Sequence, residues 1–341
     1  STRVDSLTNF QNTRAIGMDD LEVHALLEDP SDISPKKIAY IEETILNEPL
    51  LAGRLLSLDK RTAAVVVSLR PPKDDIVATT SIVTAARELH EAMRAKYPNI
   101  RIELTGSQML SNSFSEAAQQ DLKTLTPTMF VLIAVVLIIT TRKFFGTLAT
   151  MVAVTLSTAM AMGTGGWLGI PLSPPAAGAP TIILTVAVAD CVHILITALV
   201  SQGGGMDKRA AIVESLRINA QPVFLTSVTT AIGLFSLQFS DAPPYRDLGA
   251  FAGIGAIYAW ILSMTLFPAL LSIMPMKGSQ AVDTQSRWMS WLADMVIAKR
   301  KPLLVSMLAL SLVGAALLPR LTFNDRFVEY FDESIDFRQA S

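Results

Sequence analysis

The sequence predicts a membrane all-α helical bundle joined to a smaller α/β domain. The 341 residues are 50% hydrophobic and only 17% charged, whereas a soluble domain carries about 25% charged residues. The shortage of charge is concentrated after residue 124, where six apolar runs follow one another. Most of these runs approach the roughly 20 residues that a helix needs to cross a hydrocarbon core.

The α/β domain is predicted for residues 1–120 and includes a hairpin. Two β-rich runs, residues 51–56 and 62–69, flank a segment of turn character. Pro71-Pro72 then ends the second run. We therefore expect the two runs to pair as neighbouring strands.

A helix and a further strand are expected to complete this domain. Apolar residues recur at helical spacing through residues 79–96 and predict one buried face. That face consists of Ile82, Ala86, Leu89 and Met93. Residues 100–104 alternate like a strand, so that residues 62–104 are expected to form a compact strand–helix–strand unit. Residues 112–125 predict a helix that leads into the first apolar run.

The six apolar runs predict six spanning helices. They occupy residues 125–141, 144–170, 181–200, 222–240, 248–274 and 302–318. Any one run also fits a buried core helix of a soluble protein, but six in succession, with short polar breaks, favour the membrane. Pro127, Pro180, Pro222 and Pro302 lie where a helix is expected to start, whereas Pro268 is expected to kink or end the fifth helix.

Lysine and arginine residues predict the orientation, because cytoplasmic loops carry an excess of them. Alternate breaks between the runs hold ten basic residues: Arg142, Lys143, Lys208, Arg209, Arg217, Lys277, Arg287, Lys299, Arg300 and Lys301. The other breaks, at 171–180 and 241–247, hold only Arg246. The basic loops are therefore predicted to be cytoplasmic.

This orientation divides the chain into five predicted parts. They are an extracytoplasmic α/β domain at 1–120, a five-helix transmembrane unit at 121–275, a cytoplasmic linker at 276–301, a further transmembrane helix at 302–318, and the start of a second extracytoplasmic domain at 319–341. Within the five-helix unit, residues 207–220 suit either a short helix along the cytoplasmic surface or a solvated loop helix.

Asp190 and His193 are the two side chains in the apolar runs that ionise at or near neutral pH. Both lie near the middle of the third run, and their spacing of three residues places them on the same helix face. An acid at the centre of a spanning helix costs about 2.5–3.5 kcal/mol on insertion scales, so it is interpreted as functional. We expect the pair to relay protons, because an imidazole can exchange a proton with a nearby carboxyl. The alternative is a neutral Asp190 that bonds neighbouring hydroxyls purely for packing.

Hydroxyl groups on the fourth run are candidates for supporting this relay. They belong to Thr226, Ser227, Thr229 and Thr230, and the threonines are the predicted relay support. The alternative is that these hydroxyls bond the backbone of their own helix.

Two glycines on the fifth run, Gly249 and Gly253, have the small-xxx-small spacing that lets helices approach closely, and they predict helix packing.

Other kinds of site are not expected. The single cysteine, Cys191, lies within an apolar run and excludes a disulfide framework. His24 and His90 have no metal-type partners near them in the sequence, so that no metal or cofactor site and no catalytic residue is predicted. The net charge of −2 comes with no basic stripe, which argues against nucleic acid as a partner.

Several segments together resemble the resistance–nodulation–division superfamily, and in particular its MMPL-type branch of exporters. In the third and fourth runs they are residues 188–195 (VADCVHIL), 219–222 (NAQP) and 226–233 (TSVTTAIG). In and around the fifth run they are Pro243-Pro244, Leu248-Gly249 and residues 267–271 (FPALL). Residues 3–10 (RVDSLTNF) and 324–332 are similar to the segments that follow the first and seventh helices of the family.

The resemblance implies helices two to seven of a twelve-helix protein of the bacterial inner membrane. It further implies proton-driven export of hydrophobic or amphiphilic cargo, with protons as the coupling ion, Asp190 as the relay acid and no other cofactor. The expected partners are the lipid bilayer, the cargo, the remaining half of the same protein and further copies of it. Runs one to five also resemble the sterol-sensing unit of related proteins. The drug-efflux branch has two adjacent acids where this chain has Asp190 and Cys191, so that His193 is expected to substitute in part.

Two other functions remain open at this point. One is a lipid-sensing or membrane-assembly protein that uses the same five helices without transport; an ionisable partner elsewhere in the protein would favour transport instead. The other is an intramembrane aspartyl protease, which needs two facing acids, whereas the apolar runs hold one.

The predicted orientation is tested by cysteine labelling of intact cells that produce the full-length protein in a Cys191→Ala background. Ser111→Cys is expected to react with a membrane-impermeant maleimide from outside, because it precedes the first run on the side poor in basic residues. Ser279→Cys, in the basic linker, is expected to react only after the cells are permeabilised. Labelling of position 279 but not of position 111 in intact cells would reverse the topology.

Overall fold

The computed structural model describes residues 3–16, 20–27, 34–48, 51–70, 78–275, 287–322, 327–332 and 335–340. The chain forms two compact units, Ser1–Ala85 and Ala86–Ser341. The predicted strand end at Pro71-Pro72 and the linker residues 276–286 lie outside the described residues.

The first unit contains short strands and one complete helix. These are β1 (Arg3–Asp5), β2 (Gln11–Ile16), β3 (Asp20–Ala25), α1 (Pro35–Asn47) and β4 (Val66–Ser68). The strand pairs β1–β4 and β2–β3 are each antiparallel and two-stranded. Helix α1 begins with Ser34, whose Oγ accepts a hydrogen bond from the Lys37 amide at 3.3 Å, so that one otherwise unpaired donor of the first turn is satisfied. The core of the unit consists of Leu26, Ile45, Leu51 and Leu55.

The predicted hairpin is only partly correct. Its turn exists, because the Ser57 amide donates to the Thr62 carbonyl at 2.9 Å and Leu56 bridges Ala63. Residues 51–56 are not a strand, since the Leu55 amide donates back to the Leu51 carbonyl at 3.0 Å. Strand β4 instead pairs with β1, which lies far earlier in the chain. The turn signal in the sequence thus predicted the chain reversal at residues 57–62 correctly, but it did not predict that β4 pairs with β1.

The strand–helix–strand prediction is wrong. Helix α2 (Ala78–Lys96) forms, but Leu89 is 64% exposed and Met93 is 38% exposed, whereas the buried residue is Val83 at 1%. Residues 100–104 are not a strand. The Ile102 carbonyl lies 2.8 Å from Nε2 of His90 on α2, and a side chain rather than a neighbouring strand therefore holds this segment.

The second unit contains a helical bundle. After α2, its helices are α3 (Ser107–Thr141), α4 (Phe144–Trp167), α5 (Ala179–Gly203), α6 (Lys208–Phe235), α7 (Pro243–Met264), α8 (Leu266–Ile273), α9 (Arg287–Ala298), α10 (Arg300–Leu317) and α11 (Asp336–Gln339). Short 3-10 turns lie at Ala176–Gly178, Ser236–Phe239, Leu318–Arg320 and Phe327–Tyr330. Among the described residues, six helical segments are long and apolar enough to cross a membrane, one for each predicted run.

Two prolines lie inside helices rather than at their starts. Pro127 lies within α3 and Pro222 within α6, so the sequence before each is part of the same long helix. The proposed surface helix at 207–220 is therefore mostly the first half of α6. That helix begins at Asp207, whose carboxylate accepts from the Arg209 amide at 3.1 Å.

Pro268 acts as predicted. Helix α7 ends at Met264, Thr265 is distorted from ideal helical angles at φ −117° and ψ −68°, and α8 continues from Leu266. A proline ring collides with the carbonyl four residues earlier and has no amide hydrogen to donate, so the helix breaks before it.

Glycines allow the bundle helices to approach each other. A Cβ at Gly165 on α4 would lie 2.0 Å from the Phe251 ring on α7, and a Cβ at Gly255 on α7 would lie 2.2 Å from Ile183 on α5. Real Cβ atoms essentially never come that close to other heavy atoms. Van der Waals packing is a main attraction between membrane helices, so these contacts set the helix spacing.

Gly165→Ala is expected to lower the apparent melting temperature of the full-length protein in detergent by several degrees. The added methyl group collides with Phe251, and overpacking costs about 1–3 kcal/mol. Gly163→Ala, on the same helix, is the matched control because a methyl group added there would meet no atom within 4 Å beyond the neighbouring backbone of its own helix. Equal melting temperatures for the two variants would show that α4 and α7 are not packed this closely.

Candidate functional site

Asp190 lies near the middle of α5, roughly 16–20 Å along the axis from either end of the helix. Its side chain points into the bundle, and only 4% of the residue is exposed. It is the only buried acidic residue in the described part of the chain. The centre of the bundle therefore holds a single acid.

Ser227 on α6 is the side chain that contacts this acid. Its Oγ donates a hydrogen bond to Oδ2 of Asp190 at 3.0 Å, and both residues are buried. A serine hydroxyl has one hydrogen to donate and lone pairs to accept with. Ser227 can therefore donate to a charged Asp190 carboxylate, and after its hydroxyl reorients it can accept from a neutral Asp190 carboxyl.

Apolar clusters lie on both sides of the acid along α5. Towards the start of the helix, Leu184 and Ala187 pack with Val154 of α4 and Ala259 of α7. Towards its end, Cys191 and Ile194 belong to a cluster with α4 and α8 whose other buried members are Ala149, Ala153, Leu195, Leu199, Ile212, Phe267 and Leu271. Buried apolar side chains therefore flank the acid in both directions along α5, and electrostatic interactions are stronger in such surroundings than in water.

The structure does not bring His193 into contact with Asp190. His193 is exposed on the surface of α5, and its carbonyl accepts from the Thr197 hydroxyl at 2.9 Å. The two residues do lie on the same side of α5, as predicted. A separation of three residues nevertheless leaves their side chains about 60° apart around the helix axis, so that one can be buried while the other is exposed. Only the acid of the predicted pair reaches the interior.

The predicted supporting threonines do not bind the acid either. The Thr226 hydroxyl donates to the Pro222 carbonyl at 3.0 Å, and the Thr229 hydroxyl donates to the Leu225 carbonyl at 2.9 Å. Thr230 is half-buried. A spacing signal could have identified Ser227 instead. Every fourth residue of α6 is buried, and the stripe runs through Ser215, Asn219, Val223, Ser227 and Ala231.

A second buried polar cluster lies on the same stripe. Nδ2 of Asn219 donates to the Thr197 hydroxyl of α5 and to the Ser215 carbonyl, both at 2.9 Å. The Ser215 hydroxyl donates to the Ile194 carbonyl of α5 at 2.6 Å. These bonds join α5 to α6 about 12 Å from Ser227, on the side of the basic Arg142–Lys143 turn.

Gly249 and Gly253 lie where α7 meets the end of α6. A Cβ at Gly249 would be 2.6 Å from the Leu234 carbonyl oxygen, and a Cβ at Gly253 would be 2.8 Å from the Phe235 ring. The two glycines thus let α7 approach the helix that carries Ser227. Within the described ranges, no three His, Cys, Asp or Glu side chains come together as metal ligands would.

A model of the MMPL family matches residues 4–305. The siderophore exporter MmpL5 of Mycobacterium tuberculosis is 27% identical over 289 residues, which cover 82% of this chain and 30% of that protein. The probable transport protein MmpL4 of Mycobacterium leprae is 25% identical over 301 residues, which cover 86% of this chain and 31% of that protein. The matches thus span about a third of the length of these two relatives.

A shorter match involves a protein named for its cargo. The hopanoid transporter HpnN of Burkholderia multivorans is 30% identical over 116 residues, which cover 33% of this chain and 12% of that protein. The proteins similar to this chain therefore include a named exporter and a named transporter.

Asn219→Leu is expected to destabilise the full-length protein by about 1 kcal/mol, the usual size of a side-chain hydrogen bond between membrane helices. The loss should appear as a lower melting temperature in detergent, because the Thr197 hydroxyl loses its donor from α6. Gln221→Leu, an exposed amide on the same helix, is the control and should change little. A larger loss for Gln221→Leu than for Asn219→Leu would contradict this account of the α5–α6 contact.

Proposed function

Because this chain belongs to the MMPL family, we propose that it is part of a multi-pass exporter of the bacterial inner membrane that moves hydrophobic or amphiphilic, lipid-like molecules. The names of MmpL5 and HpnN support export and a lipid-like cargo, since a hopanoid is a lipid. We further propose that protons drive it through Asp190. Residues 1–120 and 319–341 are then extracytoplasmic.

The observation that carries the proton step is the buried pair of Asp190 and Ser227. An ionisable side chain deep in a spanning helix is expensive, and such groups typically mark proton or substrate pathways. Here the acid is also held between two helices, because its hydrogen bond crosses from α5 to α6. A change in the protonation of Asp190 therefore acts directly on a helix–helix contact.

A groove lies beside this pair. An apolar groove of about 230 Å³ between α6 and α7 is lined by Ser227, Ala231, Phe235 and Trp260 among others. Ser227 thus belongs both to the contact with the acid and to the wall of an open groove. Movement of α6 or α7 at this groove would change how water reaches the acid, which is what alternating access requires.

The energy available from protons is sufficient for such a movement. A charge that crosses the membrane potential releases about 2.3 kcal/mol per 100 mV. Conformational states that interconvert in function commonly differ by a few kcal/mol. One proton per cycle at Asp190 can therefore shift the populations of two arrangements of α5 and α6.

The exposed position of His193 supports a partner on that face. Ionisable residues of spanning helices face a bundle interior or a water-filled cavity rather than lipid. We therefore propose that other parts of the same protein, or another copy, cover the face of α5 that carries His193. In that covered position the imidazole would tune proton movement without touching Asp190.

Asp190→Asn is expected to reduce proton uptake at least tenfold in proteoliposomes that hold the full-length protein and lipids from its source bacterium as cargo. Uptake is followed with an internal pH-sensitive dye while a potassium diffusion potential is imposed. Asparagine keeps the shape and can accept from Ser227, but it cannot titrate. Ser227→Ala should reduce uptake less, and Thr229→Val, which loses only a bond within its own helix, should have no effect.

The test separates the relay from a folding defect. Asp190→Asn should elute from gel filtration and melt like the wild type. Dicyclohexylcarbodiimide, which attacks protonated carboxyls in apolar surroundings, should modify the peptide that contains Asp190 in the wild type, and less so as the pH is raised. Uptake at the wild-type level in Asp190→Asn would exclude the relay and favour a lipid-sensing function without transport.

A further inference from the structure

At the end of the bundle that holds the Arg142–Lys143 turn, a cavity of about 240 Å³ opens between helices. Its rim includes Arg142 and Lys143, the two residues between α3 and α4. Its inner wall is apolar and is formed by Gly146, Leu195, Leu199 and Leu271. The cavity therefore joins two positive charges to an apolar interior at the level where the membrane helices begin and end.

The two cations have no partner within the described residues. No carboxylate lies within ion-pair distance of either side chain, and neither side chain donates a hydrogen bond. The nearby carbonyls at the end of α8 are already bound, because Nζ of Lys208 donates to Ser272 at 2.5 Å and to Met274 at 2.7 Å. Arg142 and Lys143 are thus left with unsatisfied positive charge beside an apolar cavity.

The start of α4 adds to the same positive field. Lys143 precedes this helix without a side-chain cap, and residues Phe144, Phe145 and Gly146 of its first turn line the cavity. The first turn of a helix carries the positive end of its dipole. Among the residues that the structure describes, no acidic side chain lines the cavity to offset this field. A ligand with a negative group at one end fits the electrostatics of the rim.

The size of the cavity decides which kind of ligand fits. Pockets that enclose a whole drug-sized molecule measure about 300–1,000 Å³, so this cavity takes one end of a longer molecule. A transmembrane helix of about 10–12 Å diameter is too wide for it. Phe144 and Phe145 are exposed beside the rim and add apolar surface there. An amphiphile anchored in the bilayer satisfies all of these conditions.

We propose that this cavity binds an anionic phospholipid of the adjacent leaflet. The headgroup phosphate lies between Arg142, Lys143 and the first turn of α4, and the start of an acyl chain lies against Leu199 and Leu271. Lipid bound there bridges the α3–α4 turn to α5 and α8, so it is a resident lipid of the bundle rather than cargo in transit. This binding does not depend on Asp190.

The test is native mass spectrometry of the full-length protein in detergent with added dioleoylphosphatidylglycerol or dioleoylphosphatidylcholine. Wild-type protein is expected to retain one phosphatidylglycerol at least about tenfold more tightly than phosphatidylcholine, since each basic residue near a membrane surface contributes roughly a fivefold factor. The double variant Arg142→Gln/Lys143→Gln should lose that preference. The charge-keeping swap Arg142→Lys/Lys143→Arg should retain it, and so should the control Arg300→Gln/Lys301→Gln on α10.

Two further arms identify the site and the ligand. Met274→Trp, which places a large ring at the rim, should weaken phosphatidylglycerol retention while all charges remain. Glycerol phosphate without acyl chains should not displace the lipid. Equal retention of the two phospholipids, equal loss in the α10 control, or full displacement by glycerol phosphate would each overturn the proposal. Asp190→Asn should bind phosphatidylglycerol like the wild type, so the outcome is independent of the proton relay.

Discussion

Inside the bundle, every polar group has to find its hydrogen-bond partner within the protein, because a hydrocarbon core offers none. Most hydroxyls satisfy this constraint within their own helix. Thr150 and Ser157 of α4, for example, donate to carbonyls four residues earlier. The bonds that cross between helices are therefore the informative ones. In the middle of the bundle they are concentrated where α5 meets α6, at Asp190–Ser227 and at Asn219–Thr197.

Close backbone approach makes these crossing bonds possible. A serine side chain is short, so Ser227 reaches Asp190 only if the two helices nearly touch. Helix α7 holds them together because its glycines face two directions: Gly255 meets Ile183 on α5, and Gly253 meets Phe235 on α6. The polar contact at the centre thus depends on small residues that carry no polar group themselves.

The sequence was sufficient to predict where the membrane helices lie, but it was insufficient to predict which residues make contacts between them. Hydrophobic length located all six spans, and Pro268 located the break in the fifth, since both effects act within one helix. Pro127 and Pro222 were predicted to start helices but lie inside them, because neighbouring helices can accommodate a proline inside a membrane helix. The partner of strand β4 and the exposure of Leu89 depend on what lies across from each residue, and local spacing does not contain that information.

The residues on either side of Ser227 show why the α5–α6 contact has one register. Along the buried stripe of α6, the neighbours of Ser227 one turn away are Val223 and Ala231, and both are apolar. Sliding α6 by one turn, about 5.4 Å, would place one of these against Asp190 and leave the carboxyl without a donor. It would also separate Asn219 from Thr197. Two bonds therefore hold the register at once, Ser227 to Asp190 and Asn219 to Thr197. A hydrogen bond to a charged carboxylate is stronger than one to a neutral carboxyl. In the proton-driven switch that we propose, protonation of Asp190 would weaken its bond to Ser227 and so lower the resistance of this contact to sliding.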